Sequence, residues 1–201
     1  KSISALTVTA ASVFKGRLSK FAVYERTSVP ANFALSFNIK PSEISSEWSS
    51  IIHYSKDKTN MGPEGRVPGM TFSYAQNLSS LAIWFIPNTT KLSVRVATTN
   101  NVNDGIFASV RSLPLNTTTN VRVEAFEGEV FLFLNNSFDS MCTVSASRIS
   151  GIATLFVPNP WSTAAVATIG SIEMKPILRK LLYVASSSFN GPLSKSAVLE
   201  L

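Results

Sequence analysis

Few residues of this chain are suited to acid–base or nucleophilic chemistry, and they are scattered. Glycosidic hydrolysis needs two carboxylates placed around the scissile bond. The densest carboxylate group is Glu124-Ala-Phe-Glu127-Gly-Glu129, which straddles a Glu-Gly turn and reads as solvated turn residues. A Ser-His-Asp relay would have to use His53, the single histidine. His53 lies between Ile52 and Tyr54 in a strand-like run with no elbow glycines nearby, which marks it as a structural or surface residue. One histidine and one cysteine, Cys142, leave no His- or Cys-based metal site and no intrachain disulfide. Cys142, in Met-Cys-Thr-Val-Ser, reads as a buried, inert thiol. No catalytic residue is assigned, and the chain reads as a non-enzyme.

Residues suited to recognition are more plentiful. Asn77-Leu-Ser, Asn88-Thr-Thr, Asn116-Thr-Thr and Asn135-Asn-Ser are N-glycosylation acceptor patterns, all at expected turns or strand ends. Of the three tryptophans, Trp48 and Trp84 fall in strand patterns and are expected in the core. Trp161, beside the corner Pro158-Asn-Pro160, is the candidate for stacking on a ligand. Lys15, Arg17 and Lys20 form a local basic group in a chain of net charge +6, a balance that suits an acidic partner: a sulfated or uronic-acid glycan, an anionic surface or nucleic acid. No dense basic stripe with interleaved aromatics occurs, so a nucleic-acid partner is not expected.

The composition, 45% hydrophobic and 15% charged over 201 residues, is that of a folded domain with a real core. No apolar run approaches the ~20 residues of a membrane-spanning helix. The first residue is Lys1, which is expected of a processed chain or of an excerpt.

Short strands separated by turn residues dominate the pattern. Phe33–Ile39, Trp48–Tyr54, Gly69–Tyr74, Leu81–Ile86, Gly151–Val157 and Thr168–Met174 read as strands, with a loop over 55–68. Lys91–Thr98 alternates cleanly and puts Leu92, Val94 and Val96 on one face. Asn120–Phe126 and Glu129–Leu134, joined by Glu127-Gly128, read as a hairpin. No stretch shows a capped helical period. The expected fold is all-β, an antiparallel two-sheet sandwich of jelly-roll type.

The tail of the chain repeats its head. Residues 10–25 and 185–200 share F-x-G-x-L-S-K-x-A-V-x-E in register, with ten of sixteen positions identical at an offset of 175. Phe14, Gly16 and Leu18 match Phe189, Gly191 and Leu193. Self-similarity at a fixed spacing is the signature of arrays. The expected organisation is a sandwich unit over 1–176, with its edge strands at the N-terminal side. Residues 177–201 then start a next unit or supply an inter-unit strand.

Several stretches together resemble the laminin-G-like and concanavalin-A-like domains. They are Phe33-Ala-Leu-Ser-Phe-Asn-Ile-Lys-Pro41, Leu113-Pro-Leu-Asn-Thr117 with the strand–turn–strand ending Phe133-Leu-Asn-Asn136, and Thr154-Leu-Phe-Val-Pro-Asn-Pro-Trp161 followed by Ile169-Gly-Ser-Ile-Glu-Met174. The family's usual Trp is replaced at Asn38 and near Thr118, and Ser follows Asn136 where Gly is usual. The resemblance implies a lectin–glucanase sandwich. It also implies a rim calcium, for which Asp104 and Asp139 are the candidates; no other cofactor is expected. The glycoside hydrolases among such sandwiches carry E-x-D-x-x-E, which this chain lacks.

Two functions are expected from these features. The first is a structural repeat unit of an extracellular or cell-surface fibre, sheath or adhesin, assembling head-to-tail with copies of itself through the duplicated segments. The alternative is a carbohydrate-binding, lectin-like module.

Overall fold

Phe33, Leu35, Phe37 and Ile39 alternate with Ala34, Ser36, Asn38 and Lys40; the first set is buried and the second is at least partly open. That period-two division is carried by most of the strands. The computed structural model describes residues 22–55, 79–101, 104–144, 146–158 and 162–177, the side chains of 22–27 and 79–80 apart. Within them lie β1 (Ala22–Val29), β2 (Phe33–Pro41), β3 (Ser49–Ser55), β4 (Ser79–Phe85), β5 (Leu92–Val96), β6 (Asp104–Ile106), β7 (Thr119–Phe126), β8 (Glu129–Leu134), β9 (Ser137–Thr143), β10 (Gly151–Val157) and β11 (Ala167–Pro176).

The strands form two antiparallel sheets, with orders β1-β10-β3-β4-β5-β6 and β11-β2-β7-β8-β9. The core lies between them. Leu35, Phe37, Val121, Val123, Val130 and Leu132 line it from the five-stranded sheet, and Leu81, Ile83, Leu92, Val94 and Leu155 from the other. Burying each such side chain contributes roughly 1.5–3 kcal/mol. The expected all-β two-sheet sandwich is the fold.

The chain runs up and down without exception through the described strands. Register therefore sorts the connections into two ends. Ala22 pairs Val157, Pro41 pairs Ala167 and Ile39 pairs Thr119, so β1 begins at the end that carries connections 42–48, 86–91, 107–118 and 135–136. We call this the proximal end. Pro176 pairs Phe33, so β11 finishes at the opposite, distal end, with the turns at 30–32 and 127–128. At the proximal end Leu113 N–H donates to Thr90 O, the Thr90 hydroxyl donates to Leu113 O at 2.6 Å, and Asn116 N–H donates to Pro41 O. These bonds tie one sheet to the other. At the distal end Arg148 does the same, donating to Ala31 O, to Asn32 Oδ1 at 2.7 Å and to Glu129 O.

Three expectations are corrected. The loop read from residue 55 starts later, because Ser55 ends β3. Trp48 precedes β3 and is only half-buried, packed edge-to-face on Phe107 with ring centroids 6.1 Å apart. Trp84 is buried as expected, on the sheet face it shares with Ser93, away from the central cluster. Asp104-Gly105, turn-like in composition, lies instead in strand β6. The strand expected over Gly69–Tyr74 lies outside the described residues.

Candidate functional site

The proximal end carries Ile44, Phe107, Val110 and Leu115, four of the large exposed hydrophobic residues among those described. Its longest connection, 107–118, is pinned by one carboxylate. Where β9 pairs with β8 the register slips between Leu132 and Phe133 of β8, which leaves Asp139 as the extra residue of a bulge on β9. A bulge re-aims a side chain, and the Asp139 carboxylate is fully buried. Its Oδ2 accepts from Val110 N–H at 2.8 Å and the Ser140 hydroxyl at 3.0 Å. Its Oδ1 accepts from Arg111 N–H at 3.1 Å and Arg111 Nε at 2.9 Å. Burial alone would raise this carboxyl and is the largest single effect. The Arg111 guanidinium, the two backbone amides and the Ser140 hydroxyl outweigh it and hold the carboxyl below its ordinary value. Asp139, a calcium candidate in the sequence, is thus a loop clasp with both oxygens engaged.

Asp104, the other candidate, accepts from Gly105 N–H at 3.1 Å and from the Thr98 hydroxyl at 3.4 Å. Among the described residues no three His, Cys, Asp or Glu side chains gather in one group. Cys142 packs half-buried against the core. Burial, and then Asp104, push its thiol up to about 11 against the opposing pull of Arg95, so it stays protonated at neutral pH.

The carboxylates of the Glu124–Glu129 stretch do not form a catalytic pair on one wall. Glu124 stands on the outward face of β7 in an ion pair with Arg122. Glu127 sits in the hairpin turn at φ 46°, and Glu129 opens β8. His53 is completely buried on β3, edge-to-face with Trp84 at 6.3 Å, and burial lowers its pKa to about 4. A neutral, buried imidazole suits a structural role.

Asn88, Asn116 and Asn135 all lie exposed at the proximal end. Their φ values are 60°, 59° and 51°, in the left-handed region that asparagine tolerates better than most residues. Local backbone geometry is therefore a sufficient reason for these asparagines, beside any glycan. Asn135 Oδ1 accepts from Asn120 N–H at 2.8 Å, which braces the β8–β9 turn. Phe107 and Val110 are 61% and 67% exposed on the clasped connection, and the Arg95 guanidinium lies 5.0 Å from the centre of the Phe107 ring. Sequence reasoning missed this group: Phe107 sits in a turn-rich stretch, and Arg95 reaches it across a sheet edge. Lys15, Arg17, Lys20, Asn77, Trp161 and the repeat residues Phe14, Gly16, Leu18, Phe189, Gly191 and Leu193 lie outside the described residues. The last four residues of the first repeat copy, Ala22-Val23-Tyr24-Glu25, are described: they open β1, an edge strand laddered to β10.

No protein-family pattern matches this sequence, and no curated protein does. Solved structures do share the fold. The heptameric SAP-like pentraxin from Limulus polyphemus is 11% identical with a TM-score of 0.51, over 79% of this chain and 70% of that one. Trypanosoma rangeli sialidase is 12% identical with a TM-score of 0.46 over 71% of this chain. The chain spans only 20% of the sialidase's length. Domain 4 of an extracellular arabinanase from Geobacillus stearothermophilus, in complex with arabinotriose, is 11% identical with a TM-score of 0.45, over 77% of this chain and 65% of that one. At such identities the likeness shows a shared two-sheet β-sandwich fold and nothing more, and function does not travel with it.

Proposed function

We propose that this chain is a non-catalytic structural unit of an extracellular fibre, sheath or adhesin, in which laminin-G-like sandwiches follow one another head-to-tail. One observation carries the reading: the repeated segment runs into β1, which begins at the proximal end, whereas β11 finishes at the distal end. A sandwich whose first described strand starts at one end and whose last finishes at the other is suited to adding units along its own axis. A second copy of the β1 motif, found after β11, either forms the β1 of a following unit in the same chain or displaces the β1 that lies beside β10 in another copy. Edge strands left open invite such additions, and main-chain hydrogen bonds supply the affinity. A contact of this kind does not close on itself and gives a filament. The units are joined either covalently in tandem or by a donated strand.

The test compares size-exclusion light scattering of residues 1–201 and 1–176, alongside electron microscopy of the native material. Native filaments, or an oligomer ladder from the longer chain that is absent from the shorter, support the reading. Two monomers and no native filament overturn it.

A second reading has its own observation. The exposed Phe107 ring, flanked by Trp48 and Arg95, is an aromatic and cationic group of the kind that holds a sugar. On this reading the chain is a carbohydrate-binding module, and glycan-array binding falls at least about tenfold in Phe107→Ala. No binding by the parent chain, or equal binding by the variant, removes this reading.

A further inference from the structure

The outward face of the five-stranded sheet carries two neighbouring rows, with one side chain from each strand. Met141, Phe131, Glu124, Ala34 and Lys175 form one row by register. Phe138, Phe133, Arg122, Ser36 and Glu173 form the other. Strand β8 is the anomaly that draws attention to them. Its inward residues Val130, Leu132 and Leu134 are core, yet its outward residues Phe131 and Phe133 are large and apolar as well. Strands that are apolar on both faces belong to sheets covered on both faces. Here Phe138 and Met141 next to them stand 58% and 44% exposed.

The two rows complement each other strand by strand. On β9 and β8 apolar faces apolar, Met141 with Phe138 and Phe131 with Phe133. On β2 both residues are small, Ala34 with Ser36. On β7 and β11 the charges are opposite, Glu124 with Arg122 and Lys175 with Glu173. We propose that a second copy of this chain packs face to face on this sheet, about a two-fold axis that runs across the strands midway between the rows. That rotation reverses strand direction, keeps strand order, and lays each row on the other row of the partner. Self-complementarity of one patch is what an isologous dimer demands. A two-fold axis along the strands instead sets Arg122 against Arg122 and Glu124 against Glu124, a like-charge arrangement that costs several kcal/mol.

The face is already shaped for this. Arg122 lies over the Phe133 ring at 4.1 Å, and Phe133 meets Phe138 edge-on at 6.1 Å. Arg122 pairs with Glu124, and Lys175 Nζ lies 3.0 Å from Glu173. In the pair of copies each of these ion pairs becomes a four-charge cluster of alternating sign. Five strands about 4.8 Å apart and roughly 25 Å long present on the order of 600 Å² per copy, at the low end of specific interfaces. The pairing is lateral and antiparallel, and so independent of growth through the two ends.

Sedimentation equilibrium of the full chain over a concentration series tests it. The parent chain is expected to show a reversible dimer component at twice 21.7 kDa. Arg122→Glu and Glu124→Arg each place like charges across the axis, and each is expected to weaken that dimer at least about tenfold. The double variant Arg122→Glu/Glu124→Arg restores complementarity and is expected to restore the dimer. Circular dichroism and thermal melting verify that each variant is folded; any single variant that fails this is replaced by Glu173→Lys or Lys175→Glu, with rescue again by the double swap. If the chain also grows end to end, the swap rescue still reads this face, because residues 122 and 124 lie within β7 in the middle of the sheet, and end-to-end growth predicts no rescue by a charge swap at 122/124 or at 173/175. A parent chain that shows no dimer at millimolar concentration, folded single variants as tight as the parent, or a folded double variant as weak as the singles overturns the proposal.

Discussion

Asp139 and Arg111 are joined twice at a single oxygen: Oδ1 accepts both the Arg111 backbone N–H at 3.1 Å and its Nε at 2.9 Å. The guanidinium also reaches back to the carbonyls of Ser137 and Phe138, so one arginine closes the connection between β6 and β7 onto the edge strand β9. The carboxylate is buried while the arginine remains 47% exposed. The stabilising weight therefore lies on the acid and the amides it accepts from, more than on the charge pair itself.

Replacing Asp139 by Ala is expected to cost roughly 2–4 kcal/mol, because two backbone N–H groups lose a charged acceptor. Amide hydrogen exchange is expected to quicken at Val110 and Arg111 before the core. The carboxyl is held below its ordinary value. Its contribution is thus present above about pH 4, the unfolded value, and is lost as pH falls through the lowered folded value. Unchanged exchange at Val110 in the variant would contradict the clasp.

His53 gives the sandwich a second acid sensitivity in a milder range. Its folded pKa is about 4 against an ordinary 6.5. Between those values the unfolded chain takes up a proton that the folded chain refuses, so stability rises with pH across the window. It is complete above about pH 6.5 and is expected to fall by roughly 3 kcal/mol on the way to pH 4. Urea midpoints measured at pH 7.5, 6 and 5 check this, and His53→Leu is expected to flatten that part of the slope.

Two glycines should respond differently to the same substitution. A Cβ at Gly105, where φ is 120°, would meet the Val94 carbonyl oxygen at 2.4 Å. Gly105→Ala is expected to cost about 3 kcal/mol or more, since both backbone strain and a backbone clash are introduced. At Gly128 φ is 86° but nothing lies within 4 Å of the added atom. Gly128→Ala is expected to cost only about 1 kcal/mol. Equal losses in a urea titration would contradict the β5–β6 packing.

Expression in a eukaryotic secretory host is expected to add glycans at Asn88, Asn116 and Asn135. Intact mass before and after enzymatic deglycosylation checks this. Because all three sites have positive φ, changing each to Gln is expected to lower stability by up to about 1 kcal/mol, independently of the sugar. Absence of any mass change on deglycosylation would leave the backbone as the whole reason for these asparagines.

Strands with clean alternation were legible in the sequence. The hairpin around Glu127-Gly128 and the strand Gly151–Val157 stand where their patterns place them. β9 was hidden because the bulge at Asp139 interrupts the period of two. β6 was hidden because three residues ending a turn-like Asn-Asp-Gly carry no periodicity. The clasp could not be read locally, since Asp139 and Arg111 stand 28 residues apart and meet only once both sheets exist. The paired rows needed register: Glu173 and Arg122 share a row only because β2 lies between their strands.

The opposite placement of the first and last strands has a mechanical meaning. Tension along the chain would draw β1 away past the proximal end and β11 away past the distal end. Both strands would be pulled along their own length. The bonds of the β1–β10 and β11–β2 ladders lie across that direction, so they are loaded together in shear and cannot be peeled one at a time. A sandwich threaded in this way resists stretching with whole ladders at once.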